Sequence, residues 1–215
     1  MAAKLEIEIA SDVICPWCYI GKRRFEKALQ MLDGEFAVQV TWLPFQLNPD
    51  MPEEGVARDA YRTRKFGSLE KSRQLDARVA GEAAGEGLQF AFDRMARTPN
   101  TLAAHRLIDL AQQQGKGDAA VEALFRAYFL EARDIGDRSV LESVAESCGI
   151  DRAVMDGRLA DAAERRRVVE LEENVRELGI SAVPTFVIGR RYGVSGAQPP
   201  ETLAQAIRQA ATGAA

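Results

Sequence analysis

The chain has 215 residues, of which 47% are apolar and 28% are charged, a composition typical of a globular protein. Its 28 Lys and Arg against 32 Asp and Glu give a net charge of −4, so no basic excess favours nucleic-acid binding. No apolar run approaches the ~20 residues that span a bilayer, and the first residues alternate in polarity instead of forming a signal-peptide core. We therefore expect a cytoplasmic protein with no nucleic-acid or membrane partner.

The first 50 residues predict a strand, a helix and a second strand. Leu5, Ile7 and Ile9 alternate with acidic residues, the period of a half-buried strand. A helix is predicted from Pro16 onward, because apolar residues recur there at the spacing of one helical face. Residues 36–47 are rich in Val, Phe and Trp and predict the second strand. This order is the start of an α/β unit with a crossover helix.

The next stretch, residues 51–178, carries almost only helical periodicity. Its clearest helix is predicted to begin with Asp118 as N-cap. Beyond it, residues 185–188 and 191–194 are separated by Gly-Arg and predict a β-hairpin, and a last helix opens at Pro199 and the proline after it.

These patterns predict an α/β fold that is divided in sequence. Residues 1–50 and 179–215 form one unit, and residues 51–178 form an all-helical domain inserted into it.

The residues that carry chemistry are Cys15 and Cys18, at the predicted junction of the first strand and its helix. The unpaired N–H groups and the positive dipole end of a helix N-terminus favour an anion, here a thiolate. Cys15 is therefore the predicted nucleophile, and Cys18, one turn further in and more shielded, is the predicted resolving thiol. Pro16 suits a first helical turn, and Trp17 offers an aromatic docking surface beside the sulfur.

Two other interpretations of this cysteine pair stay open. A structural zinc needs four ligands, but only Cys148 and His105 remain to complete a site, so we expect no metal. Two inert core cysteines are the second alternative, although a strand-to-helix turn is an exposed place for them. Redox chemistry is the prediction that best fits the spacing.

Three features resemble the DsbA-like branch of the thioredoxin superfamily: residues 15–21 with the cysteine pair, residues 179–186 before the hairpin, and the helical insertion between them. Residues 99–107, within the helical block, resemble a segment of one group in this branch. The resemblance is greatest to the FrnE-like group, cytoplasmic relatives of 2-hydroxychromene-2-carboxylate isomerases and kappa-class glutathione transferases. It covers essentially the whole chain. It implies a thioredoxin-like fold with a large inserted all-helical domain.

The resemblance also implies roles for particular residues. Both cysteines are present where the isomerase and transferase relatives replace the first by serine, which favours thiol–disulfide exchange. Val183, Pro184 and Thr185 correspond to a loop with a cis proline that lies against the active-site sulfurs and docks substrate. Asn100 and His105 fall in the matching helical segment and are expected to contact substrate.

Several other residues carry their own predictions. His105 is predicted to lie outside the core, either facing solvent beside Asp109 or facing a cleft as a donor or acid–base group. Cys148 continues an apolar helix stripe and is predicted to be a buried, inert thiol. Asp12 is a strand-end turn residue or, alternatively, a proton relay.

Three basic runs are predicted to be solvated helix faces, and the first, near the cysteines, is a candidate for holding an anionic peptide such as glutathione: residues 22–24, 62–65 and 165–167. The predicted function is thiol–disulfide oxidoreduction on protein, peptide or small-thiol disulfides. No cofactor is expected beyond glutathione as a candidate co-substrate. The alternatives are a glutathione-dependent isomerase or transferase of a small aromatic substrate, and a non-catalytic peptide-binding module.

Overall fold

The computed structural model describes residues 3–213. Its elements in chain order are β1 Ala3–Ser11, α1 Pro16–Met31, β2 Phe36–Pro44, β3 Val56–Ala57, α2 Arg58–Phe66, α3 Leu69–Gly85, β4 Arg97–Thr98, α4 Leu102–Gln113, α5 Gly117–Phe125, a π-helical turn Arg126–Leu130, α6 Arg138–Ser147, α7 Arg152–Ala160, α8 Ala162–Glu177, β5 Thr185–Ile188, β6 Tyr192–Ser195 and α9 Pro200–Thr212.

The main sheet has the strand order β2-β1-β5-β6. β1 runs parallel to β2, with α1 as the connection, and antiparallel to β5, while β5 and β6 form an antiparallel hairpin. Ile7 pairs with both Val40 and Ile188, so the central strand joins the two ends of the chain. The predicted strands, hairpin and divided α/β fold are confirmed, although β2 ends at Pro44, since a proline cannot donate to the ladder.

The region between the two parts of the sheet is mostly helical, as predicted, with two differences. Val56–Ala57 and Arg97–Thr98 pair as a short antiparallel ladder. A strand of two residues is too short to produce a recognisable periodicity in the sequence. The N-cap of α5 is Lys116, so the prediction of Asp118 as N-cap is wrong. Asp118 lies instead in the first turn of α5, where its negative charge interacts favourably with the helix dipole.

One large hydrophobic cluster contains residues from the sheet unit and from the helical insertion. Tyr19 of α1 is fully buried and stacks on Phe125 of α5, with ring centroids 4.8 Å apart and planes at 10°. The two predicted units therefore share a core beside α1. The boundaries at residues 50 and 179 remain a prediction. Within residues 3–213, no helix is long and apolar enough to cross a membrane.

Candidate active site

The cysteine pair lies at the N-terminus of α1. Cys15 is the N-cap residue, in an extended conformation with φ −90° and ψ 112°, and Pro16 is the first helical residue. The backbone N–H of Cys15 donates to Asp12 O at 2.9 Å, and that of Cys18 donates to Cys15 O at 3.0 Å. The predicted position of Cys15 at the positive end of the helix is confirmed.

The two thiols differ in their surroundings. Both are free, and Cys15 is 5% exposed while Cys18 is 1% exposed. Burial, with additional contributions from the neighbouring Cys15 thiol, raises the pKa of Cys18 well above its ordinary value. Cys18 is consequently a protonated thiol behind Cys15, as expected of a resolving rather than an attacking cysteine.

The loop before β5 packs against Cys15. The Val183–Pro184 peptide bond is cis, as predicted, and the Cys15 thiol lies 3.8 Å from Val183 O. Thr185 follows directly, and its hydroxyl donates to Ala182 O at 2.7 Å, which fixes the turn. The antiparallel pairing of β5 with β1 brings this loop to the cysteine, although the two are 168 positions apart.

Gly21 provides the space in which Pro184 sits. A Cβ placed on Gly21 would lie 2.8 Å from Pro184 Cγ, too close for any side chain. We expect Gly21→Ala to displace the proline loop and to lower the free energy of unfolding by about 1–3 kcal/mol. The control is Gly81→Ala in α3, where no atom lies within 4 Å and alanine should stabilise the helix by up to about 1 kcal/mol. Equal denaturation midpoints for the two variants would contradict this packing.

A cleft of about 260 Å³ opens beside Cys15. Its floor is formed by Cys15, Pro16 and Trp17, and Trp17 is 38% exposed. Its opposite walls come from α2, α3, the loop between α3 and β4, and the π-helical turn, and they carry five aromatic side chains: Tyr61, Phe66, Phe92, Tyr128 and Phe129. The inserted helices therefore lie over the N-terminus of α1 and leave a cleft with aromatic walls beside the first cysteine.

Three cations of α2 line this cleft. Arg58 Nη2 lies 2.9 Å from Asp76 Oδ2, and Arg62 pairs with the other oxygen of the same carboxylate. Lys65 Nζ donates to Tyr61 Oη at 2.8 Å. The cleft lining thus holds three positive charges and the single carboxylate of Asp76, which leaves it with a positive excess. The prediction of a solvated face is wrong for Arg62, whose side chain is only 17% exposed because α3 covers it.

The positively charged side of the cleft was not predicted, although a pattern in the sequence of α2 indicates it. Arg58, Tyr61, Arg62 and Lys65 stand at the i, i+3, i+4 and i+7 positions of one helix face. Only the packing of α2 over the cysteines distinguishes this basic face from one in solvent.

The basic run at residues 22–24 is also not a solvated face. Lys22 is 3% exposed and lies 3.2 Å from Asp118 and 3.3 Å from Glu122, both of α5. Arg24 pairs with two glutamates at the C-terminal end of α3. These charges connect α1 to the inserted helices, so they are paired within the fold.

His105 is buried, with 4% of its surface exposed, so the prediction that it lies outside the core is wrong. The physical reason is that α4 contacts α5, α7, α8 and β2, which cover more than one of its faces. The predicted partner Asp109 pairs with Arg167 instead. His105 Nε2 lies 3.5 Å from Asp12 Oδ1, and the histidine lines a second cavity of about 250 Å³ rather than the cleft of Cys15.

Two other predicted residues lie away from the cleft. The Asn100 amide donates to Met51 O at 2.7 Å and its oxygen accepts from the N–H of Leu102 at 2.9 Å, so its polar atoms hold the start of α4. A substrate contact of Asn100 stays a prediction. Cys148 is half-buried, not buried as predicted, because α6 ends at Ser147 and leaves the next residue at the helix end.

Alkylation of the reduced protein should follow the order set by these environments. Iodoacetamide near neutral pH should label Cys15 first, because Cys15 borders the open cleft while burial keeps Cys18 protonated. Peptide mass analysis over time measures the order, and the partly exposed Cys148 is the internal control for access. Labelling of Cys18 ahead of Cys15 would reverse the assigned roles.

The strand order, the cysteine pair on α1 and the helical insertion together define a thioredoxin-like fold of the DsbA type. Residues 6–208 match the DSBA-like thioredoxin domain, and the chain belongs to this family. It is 37% identical to a probable DsbA oxidoreductase from Streptomyces coelicolor, whose structure superposes with a TM-score of 0.89 over 97% of this chain and 90% of that one.

Two further proteins are similar along their length. The uncharacterized protein YwbO of Bacillus subtilis is 28% identical over 208 residues, 94% of this chain and 96% of its own. The cytosolic disulfide reductase DsbM of Pseudomonas aeruginosa, solved with GSH, is 18% identical with a TM-score of 0.68 over 96% of this chain and 99% of that one. At that identity the likeness to DsbM shows the fold alone.

Proposed function

We propose that this protein is a cytoplasmic thiol–disulfide oxidoreductase that uses Cys15 and Cys18 as its redox pair. The observation that carries the proposal is the placement of one thiol at a helix N-cap on an open cleft, with the second thiol buried one turn behind it. A helix N-terminus favours the thiolate that attacks a disulfide, and a shielded neighbour can resolve the product.

The reaction proceeds in two exchanges. The Cys15 thiolate attacks one sulfur of a substrate disulfide, and the other substrate sulfur leaves as a thiolate. Cys18 then attacks Cys15 Sγ, which releases the second substrate thiolate and leaves the Cys15–Cys18 disulfide. The same steps run backward when a substrate dithiol meets the oxidised protein, so the direction depends on the reduction potentials of the partners.

The cleft favours a substrate with an apolar surface and negative charge. Aromatic rings of the inserted helices form its walls, and Trp17 extends the apolar surface beside Cys15. The positive excess around Arg62 and Lys65 suits carboxylates. Peptide or protein disulfides fit this description. Glutathione also fits it, as a co-substrate, and the fold shared with DsbM, which was solved with GSH, supports glutathione in that role.

Substrate docking also involves the loop that faces Cys15. Val183 O points toward the reactive sulfur, and Pro184 and Thr185 follow at the start of β5. An extended peptide whose sulfur reaches Cys15 would lie along this loop and pair with its backbone.

Insulin reduction with glutathione as the electron donor tests the proposal. We expect the protein to accelerate precipitation of the insulin B chain well beyond the rate with glutathione alone, because each catalytic cycle replaces a slow direct exchange. A rate equal to that of glutathione alone would contradict oxidoreductase activity on protein disulfides.

The charge of the cleft predicts a substrate preference. Lys65→Gln should raise the KM for glutathione disulfide about two- to fivefold, because an exposed cation contributes up to about 1 kcal/mol to the binding of an anionic ligand. It should leave the KM for the neutral hydroxyethyl disulfide unchanged. Arg64→Gln is the control, since Arg64 is on the same helix and lines a different depression. An equal effect of both substitutions would mean that the cleft wall does not contact the anion.

A further inference from the structure

A third cavity, of about 510 Å³, lies between α4, α6, α7, α8 and the segment that follows β2. Among residues 3–213, it shares no lining residue with the cleft of Cys15. Part of its wall is aliphatic and is formed by Met51, Leu102, Leu141, Leu159 and Val169. Its volume lies within the range of small-molecule sites in proteins, so its polar lining indicates which ligand it suits.

Two buried side chains on this wall carry unpaired N–H groups. Gln46 is 6% exposed and Arg106 is 9% exposed. Gln46 Nε2 and Arg106 Nε have no hydrogen-bond partner among the described residues. Arg106 Nη2 is already engaged, because it donates to Asp161 O at 2.8 Å and caps the end of α7. Buried polar atoms are paired in the great majority of cases, so these two donors call for an acceptor.

The end of the cavity beside the start of α8 is positively charged. The Arg106 guanidinium reaches Asp161, the N-cap of α8, and Arg165 stands one turn into that helix. Neither arginine forms a salt bridge within the part of the chain that the structure describes. Burial and then the charge of Arg165 lower the pKa of Arg106, which is the effect of two cations near each other. An anionic group at this end would offset their repulsion.

The other end of the cavity is negatively charged. Glu173 lies on α8 just over two turns beyond Arg165, about 12 Å further along the helix axis. The segment with Asp50 and Glu53 lies at the same end, because it follows Gln46, whose backbone N–H donates to the α8 side chain next to Glu173 at 3.1 Å. The two ends of one cavity therefore carry opposite charge.

The remaining charges on the wall are compensated within the fold. Glu172 pairs with Arg176 at 2.7 Å, and Arg138 pairs with Glu142 and Asp156. The carboxylates of Asp50, Glu53 and Glu173 differ, since none of them has an ion-pair partner among residues 3–213. The free charges are thus two arginines at one end and three carboxylates at the other.

A ligand that satisfies both ends carries a negative group and a positive group about 12 Å apart. A single amino acid holds its carboxylate and its ammonium too close together for this. An extended chain spans at most about 3.3–3.6 Å per residue, so three or four residues connect the two ends. The backbone carbonyls of such a chain also supply an acceptor for Gln46 Nε2, and apolar side chains suit the aliphatic wall.

We propose that this cavity binds a short apolar peptide of three or four residues with both termini free. The terminal carboxylate lies at Arg106 and Arg165, and the terminal ammonium lies at Glu173 and the acidic segment before it in the chain. A protein tail offers only one of the two charged ends, so a free peptide fits better. The inference does not depend on the proposed oxidoreductase function, because the cavity is separate from the cleft of Cys15.

Calorimetric titration with the tripeptide alanyl-leucyl-alanine tests the role of the two termini. The free peptide should bind saturably at millimolar concentration. Amidation of its C-terminus should weaken binding about tenfold or more, because a hydrogen bond between a charged group and a buried donor is lost. Acetylation of its N-terminus should weaken binding about two- to fivefold, because the ammonium meets exposed carboxylates. No saturable binding, or equal affinity of the three peptides, would overturn the proposal.

Two exposed residues of α8 test the position of each terminus. Arg165→Gln and Glu173→Gln should each weaken binding of the free peptide about two- to fivefold. Arg165→Gln should not change the affinity of the amidated peptide, and Glu173→Gln should not change that of the acetylated one, because the partner charge is already missing. Arg166→Gln and Glu170→Gln are the matched controls, since both residues are exposed on α8 and do not line the cavity. Equal losses in the controls would contradict a defined site.

Gln46→Leu tests the buried donor with Arg106 left in place, because Arg106 caps α7. It should weaken peptide binding about two- to tenfold without a loss of stability, since an apolar group replaces an unpaired buried amide. Lys65→Gln in the cleft of Cys15 should leave the affinity unchanged. Weaker binding in Lys65→Gln but not in Gln46→Leu or Arg165→Gln would place the peptide in that cleft and overturn the assignment of this cavity.

Discussion

Cys15→Ser should lower thiol–disulfide turnover about a thousandfold or more, whereas Cys18→Ser should stop after the first exchange. A serine hydroxyl at the N-cap of α1 is not ionised near neutral pH and cannot replace the attacking thiolate. Without Cys18, the mixed disulfide on Cys15 has no neighbouring thiol to resolve it and should accumulate. Purification of the Cys18→Ser variant under non-reducing conditions, followed by peptide mass analysis, measures the captured partner and its attachment site.

Cys148→Ser is the control for these two variants. Cys148 is at the end of α6 and does not line the cleft of Cys15, so its loss should leave most of the turnover. Abolished turnover in Cys148→Ser would bring a third redox cysteine into the mechanism. Accumulation of partners on Cys15→Ser would contradict the assignment of the nucleophile.

Phe125→Ala should lower the free energy of unfolding by about 3–5 kcal/mol. Phe125 is fully buried, and its ring packs against Tyr19 and Phe129 within the shared core. Its removal leaves a cavity between α1, which carries the cysteines, and the inserted helices. Urea denaturation followed by circular dichroism measures the loss.

Leu178→Ala provides the comparison for Phe125→Ala. Leu178 is 74% exposed at the end of α8, so truncation should change stability by less than about 0.5 kcal/mol. If Phe125→Ala cost as little as Leu178→Ala, the stack of Phe125 on Tyr19 would not hold the insertion against α1.

The parts of this molecule that the sequence predicts are those specified by local patterns. The alternation of Leu5, Ile7 and Ile9 is enough to predict β1, and the motif with Cys15 and Cys18 is enough to place a helix N-terminus at a thiol pair. The position of Val183 beside Cys15 is predicted through the family resemblance, since no local pattern connects residues so far apart in sequence.

Local sequence patterns do not predict the environments of charged side chains. Whether Arg62 faces solvent or a cleft depends on where α2 rests, and its helix periodicity is the same in both cases. His105 is buried because other elements cover α4 on more than one side. A single amphipathic stripe in the sequence predicts only one covered face. Lys22 is likewise buried only because acidic residues of α5 meet it across the core.

Equilibration of the protein in glutathione redox buffers tests the central claim most directly. Samples are quenched with acid, alkylated and digested, and the disulfide-linked peptides are identified by mass across the series of buffers. The account predicts that one disulfide, between Cys15 and Cys18, forms and breaks reversibly as the ratio of reduced to oxidised glutathione changes, while Cys148 stays outside it. The absence of a Cys15–Cys18 disulfide at every ratio would contradict the assignment of these two thiols as a redox pair.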